Sequence, residues 1–248
     1  MTALESAMQA LADQLHGVEG ARLQRFLRVM RGKEVAVEEH PLQEASQLYF
    51  PGLTARPWWD PSTFAWVGGL EQAMPQIRAE LEAALSEEVR FSPYEDPGTH
   101  DTGYPGWDVL PLYVGGEWLA RNADRCPATA RALRSTSHGP RQGFFSRLRP
   151  GAHIKPHTGG INVVLTCHLP LVVPEGCGIR VGEELRPWDP GRALIFDDSF
   201  VHEAWNRGKA DRVVLVWDIW HPELTELERK VLARLDVADR QARQGGRP

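Results

Sequence analysis

Two histidines define the chemistry this chain could do. His157 lies in the run GAHIKPHTGG at 151–160, and His202 lies in DDSFVHEAW at 197–205, with strand-like sequence between them. Neighbouring strands lie only ~5 Å apart, so a β scaffold can bring distant segments to one ion. Neutral imidazole is a good ligand for divalent iron, zinc or copper. A two-histidine, one-carboxylate site would read H-x-D or H-x-E at its first histidine. Here the sequence is His157–Thr158–Gly159, and glycine has no donor to offer. Histidine is intermediate in its preference for burial, so two ordinary structural histidines remain open on spacing alone.

The elements that must position these residues are legible as short strands. Trp107–Tyr113, Gly143–Leu148, Asn162–Val173, Gly178–Gly182, Arg192–Phe196 and Arg212–Trp220 are rich in β-branched and apolar residues and are punctuated by Gly and Pro. That pattern predicts a mainly β fold, a sandwich or jelly roll, with flanking helices. Leu70, Met74, Ile77, Leu81 and Leu85 share one helical face, and Ala128–Leu133 reads as a short helix after Pro127. At the N-terminus, Leu4, Met8, Leu11 and Leu15 form one helical stripe and Leu23, Phe26, Leu27 and Met30 a second. A turn at Gly17–Gly20 would make them a hairpin packed on the main domain. We divide the chain into residues 1–45, the hairpin and a linker, and residues 46–248, the β domain with a C-terminal helix from Leu224 to about Ala242. That helix carries mixed charge and reads as mostly a solvated face. Pro51, Pro57 and Pro61 stiffen an ordered loop around Trp58–Trp59. Residues 91–106 read as a long loop, of the kind that builds binding pockets.

Composition narrows the function classes. The chain has 248 residues, 42% hydrophobic and 25% charged, with a formal net charge of −5. A nucleic-acid binder would normally show a basic excess. No segment approaches the ~18 apolar residues of a membrane span, and the N-terminal sequence does not read as a secretory signal. The three cysteines, Cys126, Cys167 and Cys177, have no CxxC spacing. They fit reduced thiols in a cytoplasmic protein.

The run from Ser146 to Leu224, with its motifs PHTG, LIFDDSFVHEAW and WHPEL, resembles the aspartyl/asparaginyl β-hydroxylase family. Weaker echoes extend back to Leu48. The resemblance implies a double-stranded β-helix, a cupin-like jelly roll, and a dioxygenase that uses Fe(II), 2-oxoglutarate and O2. It implies that His157 and His202 hold the iron, and that Gly159 stands where the family lacks a carboxylate ligand, with water in its place. Arg212, Ser146 and His168 match the family's residues for 2-oxoglutarate. A cation among apolar strand residues needs a partner, which suits Arg212 to a bound carboxylate. One of Asp197 and Asp198, Asp198 in first place, is expected to orient the water or an imidazole, as carboxylates near metal ligands commonly do. An acidic turn and a direct ligand are the alternatives. His221 is expected to fix the chain end, His153 to face outward, and His16, His40, His100 and His138 to lie on the surface or in loops.

The sequence also departs from the family. Members acting on aspartyl residues tend to carry arginines on the strand after the first histidine, and Ile161–Leu171 has none. Val164 and Thr166 stand where a cation is expected. Lys155, Arg147, Arg149 and Arg180 are candidate substitutes, or plain surface charges. With only a short hairpin in place of the tetratricopeptide region of some relatives, the expected substrate is small, carrier-tethered or a short peptide, and aspartyl- or asparaginyl-like. Two other readings compete: a non-catalytic binding protein on the same fold, and a cupin-type metal-dependent isomerase or hydrolase, for which Arg212 would be idle.

Overall fold

The computed structural model describes residues 18–37, 39–86, 91–94 and 105–245, together with Ser6, Ala10 and Gln14. Along the chain come α1 (Val18–Met30), β1 (Trp58–Trp59), α2 (Val67–Ser86), β2 (Ser92–Pro93), β3 (Trp107–Val114), β4 (Glu117–Trp118), α3 (Ala120–Ala123) and α4 (Pro127–Arg134). They are followed by β5 (His138–Leu148), β6 (His153–His157), β7 (Val164–Val172), β8 (Cys177–Val181), β9 (Glu184–Arg186), β10 (Leu194–Phe196), β11 (His202–Asn206), β12 (Arg212–Trp220) and α5 (Glu226–Gly245).

The strands form two antiparallel sheets. The larger runs β1-β10-β7-β12-β5-β3-β2, with β4 beside β3, and the smaller runs β6-β11-β8-β9. The larger sheet is buried on both faces, which is why β7 and β12 read as nearly continuous hydrophobic runs rather than alternating ones. One parity, including Phe145, Cys167, Leu169, Leu215 and Trp217, packs against Leu70, Ile77 and Leu81 of α2. The other parity, including Phe144, Leu148, Val214 and Val216, faces Ile154, Ile179 and Ala204 of the smaller sheet. Helix, large sheet and small sheet therefore form three layers, a double-stranded β-helix with helices on its outer face.

A strap of extended chain crosses the open end of the sandwich. Glu44 and Gln47 donate backbone N–H groups to Ser199 and Gly160, and Leu48 bridges Ile161. The Asn162 side chain accepts from the backbone N–H of Phe50 and donates to its carbonyl. The strap brings Gln43 to Asp197 and Gln47 to the rim of the inter-sheet cavity.

Four expectations are corrected. Val18, Glu19 and Gly20 belong to α1 rather than to a turn, while Leu4, Met8, Leu11, Leu15 and His16 lie outside the described residues. Up to Leu235 the C-terminal helix is not simply a solvated face, because Val231, Leu232 and Leu235 are buried against Leu23, Phe26 and Leu27 of α1. His138 is not a loop residue: it opens β5 and meets the rings of Tyr113 and Trp118. Of the long loop, Ser92–Pro93 pairs with β3, and residues 95–104, with His100, lie outside the described residues.

Asp197 gives the fold a pH signature. It is 1% exposed and accepts hydrogen bonds from Gln43 Nε2 and from the backbone and hydroxyl of Ser199. Burial outweighs those bonds and pushes its carboxyl up to about 7. Between pH ~4 and ~7 the folded chain then binds a proton that the unfolded chain has lost. Stability falls as pH rises through that window, by at most roughly 4 kcal/mol. Asp197→Asn keeps an acceptor for Ser199, and its amide can donate to Gln43 Oε1, which is buried without a partner. Urea unfolding at pH 4.5 and 7.5 should show a smaller loss of stability in the variant. An unchanged difference between the two pH values would refute this role.

Candidate active site between the two sheets

The cavity between the sheets holds about 110 Å³. Cross-strand pairing builds its histidine end. His202 of β11 lies directly opposite His157 of β6, and the two ring centroids are 4.2 Å apart. Each ring is fixed the same way, by a hydrogen bond from Nδ1 to the carbonyl two residues earlier: Lys155 for His157 at 2.8 Å, and Phe200 for His202 at 2.9 Å. A carbonyl only accepts, so Nδ1 must carry the proton, and in the neutral ring Nε2 keeps its lone pair. Burial first, and the charge of His157 second, push the His202 pKa down to about 3, so this imidazole is neutral at physiological pH. Two imidazoles with the same Nδ1–H hydrogen bonding, close enough to share an ion, are a donor set that fits a divalent metal. Among the described residues no third His, Cys, Asp or Glu completes a metal-holding group with them.

Gly159 and Asp198 explain the missing carboxylate. A Cβ on Gly159 would lie 2.1 Å from Asp198 Oδ2 and 2.3 Å from its Cγ. The Asp198 carboxylate thus occupies the volume where a side chain at 159 would start. Desolvation raises its pKa, with Arg141 the largest opposing influence, and its Oδ1 is buried without a hydrogen-bond partner. A buried, unmatched carboxylate oxygen beside two imidazoles suits a cation or an ordered water. Asp197 is not part of this cavity: it turns the chain and ties it to the strap.

The far end of the cavity is built around Arg212, which is 1% exposed. Its guanidinium lies 4.7 Å over the Trp188 ring and donates from Nη1 to Ser146 Oγ at 3.3 Å, while Nε is buried without a partner. Burial pulls its pKa down to about 10, opposed only by Cys177, and among the described residues no carboxylate offsets the charge. Ser146 Oγ also accepts from Trp107 Nε1 at 2.9 Å. With two donors pointing at that oxygen, its own proton is left to give to a ligand. His168 Nδ1 accepts from Trp188 Nε1 at 3.2 Å, so the neutral ring offers Nε2–H. Burial, Arg212 and His202 all hold the His168 pKa well below normal. Asn206 secures this end by bonding the carbonyls of Leu148 and Ala210, which fixes the turn leading into Arg212.

The structure brings His157, His202, Asp198, Ser146, His168 and Arg212 to one cavity. The four cations named as possible substitutes are elsewhere. Arg147 and Arg149 bind Asp108, Arg180 binds Glu203, and Lys155 is exposed on β6. Val164 packs in the apolar cluster with Phe26 and Phe50, so only Thr166 of the pair expected to replace a cation faces the cavity. His153 is exposed and bonds Glu203, and His40 packs on Phe200. His221 is buried edge-on to Trp59, accepts the Glu223 N–H, and ties the chain end to the Trp58–Trp59 segment.

Sequence reasoning missed Arg141. Alternation from inward-facing Ser146 puts Phe144 and Gln142 inside and Arg141 outside. Between Trp217 and Ile219 on β12 the partners on β5 jump from Gly143 to His138, which marks a bulge in β5 over residues 139–142. Arg141 and Gln142, consecutive residues, both line the cavity.

This fold and this pair of paired imidazoles define a double-stranded β-helix protein with a candidate two-histidine metal site. Residues 71–222 match the family model for aspartyl/asparaginyl β-hydroxylase, and the chain belongs to that family. The human aspartyl/asparaginyl beta-hydroxylase is 38% identical over 192 residues, which are 73% of this chain and 25% of that protein. This chain therefore spans about a quarter of the length of that relative. An ornithine lipid ester-linked acyl 2-hydroxylase of Rhizobium tropici is 36% identical over 188 residues, 72% of this chain and 66% of that protein. A solved structure of a Trichoplax adhaerens prolyl hydroxylase, in complex with a hypoxia inducible factor oxygen degradation domain peptide fragment, is 16% identical, with a TM-score of 0.46 over 64% of this chain and 81% of that one.

The Gly159–Asp198 packing can be tested directly. Gly159→Ala should cost about 1–3 kcal/mol, because its methyl displaces a carboxylate. In an Asp198→Ala background the same substitution should cost much less. Additive unfolding free energies would show that the two positions do not share this volume.

Proposed function

We propose that the chain is an Fe(II)- and 2-oxoglutarate-dependent hydroxylase acting on an aspartyl- or asparaginyl-like substrate, free, carrier-tethered or peptidyl. The observation that carries this reading is the pairing of two tautomer-matched imidazoles with a buried guanidinium that has no carboxylate partner among the described residues, in one cavity. A hydrolase or isomerase would need the imidazoles but leave the buried cation without purpose.

His157 and His202 would hold the iron, each through Nε2. When bound, iron and 2-oxoglutarate supply the oxidising power, coupling O2 reduction and loss of CO2 from 2-oxoglutarate to hydroxylation of a C–H bond. The protein's part is orientation and exclusion of water. Arg212 receives the cosubstrate's distal carboxylate and so offsets a charge the fold otherwise buries alone. The Ser146 hydroxyl and the His168 Nε2–H are further donors for the same anion. Asp198 accepts from a water beside the imidazoles. Phe144, Ile154, Ile179, Phe196 and Val216 keep the walls apolar. The site asks no side chain to act as general base, because the hydrogen to be removed is carbon-bound.

His202→Ala should abolish stoichiometric iron binding under anaerobic conditions, and retained iron would remove the ligand assignment. Arg212→Ala should leave metal affinity within about two-fold and weaken 2-oxoglutarate binding by roughly 10- to 100-fold, the loss of a charge-assisted contact. Succinate formation that depends on iron in the wild type and persists undiminished in Arg212→Ala would overturn the cosubstrate role.

A further inference from the structure

The cavity has two cations, and the cosubstrate accounts for one. Arg212 is registered opposite Leu148, so the other cation, Arg141, springs from a point seven positions away along β5, roughly 20 Å of strand. Its guanidinium is partly exposed and lies on the metal side of the cavity, with Nη1 3.8 Å from Asp198 Oδ2 and 3.5 Å from the Gly159 carbonyl. Gln142 and Thr166 line the cavity with it.

A dedicated device turns this arginine inward. Asp218, 4% exposed on β12, accepts the backbone N–H groups of Arg141 at 3.2 Å and of Gln142 at 2.7 Å. Two consecutive N–H groups pointing at one carboxylate define the bulge that breaks the alternation of β5. Gly139 makes room for it, since a Cβ there would lie 2.1 Å from Asp218 Oδ2. Tyr113 holds the same turn of strand by donating its hydroxyl to the Gly139 carbonyl. A buried carboxylate spent on two backbone amides is costly unless the geometry it fixes is needed.

We propose that Arg141, set into the cavity by the Asp218-held bulge, recognises a carboxylate of the substrate next to the hydroxylated carbon, the task for which β7 has no cation. The proposal rests on the hydroxylase reading above. A planar monoanion suits one guanidinium, which can bind it bidentately. A phosphate dianion would place a second negative charge against Asp198 with a single cation to offset both. Arg141 would touch the substrate; Asp218 is a positioning residue.

The test uses Mn(II)-loaded protein with N-oxalylglycine as a stand-in for 2-oxoglutarate, and two probes: N-acetylaspartate amide and its neutral isostere N-acetylasparagine amide. Binding is read by calorimetry and by water-proton relaxation at Mn(II), without turnover. The wild type should prefer the charged probe, and Arg141→Ala should lose that preference by roughly 10- to 100-fold. Arg141→Lys, which keeps the charge but not the fork, should fall between them. Affinities for Mn(II) and N-oxalylglycine should stay within about two-fold. Asp218→Asn, with an amide donor facing the bulge, should lower the preference in the same direction without changing Mn(II) affinity. A wild type that binds Mn(II) and N-oxalylglycine but does not distinguish the probes overturns the assignment of Arg141 alone. Weakened Mn(II) or N-oxalylglycine binding in Arg141→Ala, with preference retained, overturns it too, by placing the residue in support of Asp198 or the cosubstrate. Failure of the wild type to bind Mn(II) and N-oxalylglycine sinks the hydroxylase reading instead.

Discussion

Among the described residues no carboxylate pairs with the buried Arg212 guanidinium, and the rest of the cavity is arranged around that fact. Leaving a charge in a low-dielectric interior is among the most expensive things a fold can do. Here the cost is reduced by the Trp188 face and the Ser146 hydroxyl, but not removed, as the lowered pKa shows. The same charge helps keep His168 neutral, which fixes that ring as an Nε2–H donor. Every polar group at this end of the cavity therefore presents a donor, and none presents a carboxylate. The arrangement is complementary to an anion before any anion arrives, which is what preorganisation means for affinity.

At the other end the logic is steric as much as electrostatic. Gly159 offers no ligand atom. In this chain it is also a space provided, because the Asp198 carboxylate fills the position a side chain would take. The imidazoles do not depend on a neighbouring carboxylate for orientation: each is held by a carbonyl of its own strand, two residues back. Cross-strand pairing of β6 with β11 then decides their separation. Both ends of the cavity thus use main-chain geometry to set side-chain chemistry, and Asp218 repeats the device at the bulge of β5.

Much of this was legible from residue types. The strands at Trp107–Val114 and Arg212–Trp220, and the helix around Leu70–Leu85, follow from periodicity, because both-sided burial in the large sheet leaves long apolar runs. His157 and His202 stand out by residue type beside strand-like segments, while Ser146, His168 and Arg212 are marked by the resemblance of their motifs to the aspartyl/asparaginyl β-hydroxylase family. The misreadings have one physical origin. The C-terminal helix looked solvated because its charge is mixed, yet Val231, Leu232 and Leu235 find a partner in α1. Of the four cations that could substitute on sequence alone, Asp108 and Glu203 claim three, through pairings between strands distant in the chain.

The sequence by itself determined the donor inventory: two histidines, a glycine where a carboxylate might stand, and a lone arginine in an apolar strand. It also determined the β-rich layering, since period and composition are properties of a single segment. Tertiary structure alone decided which of two adjacent aspartates enters the cavity, which histidine nitrogen is left with a lone pair, and that Arg141 faces inward. Those depend on register, on a bulge and on the volume left by a missing Cβ. Each is a relation between segments far apart in the chain, and no local pattern encodes it.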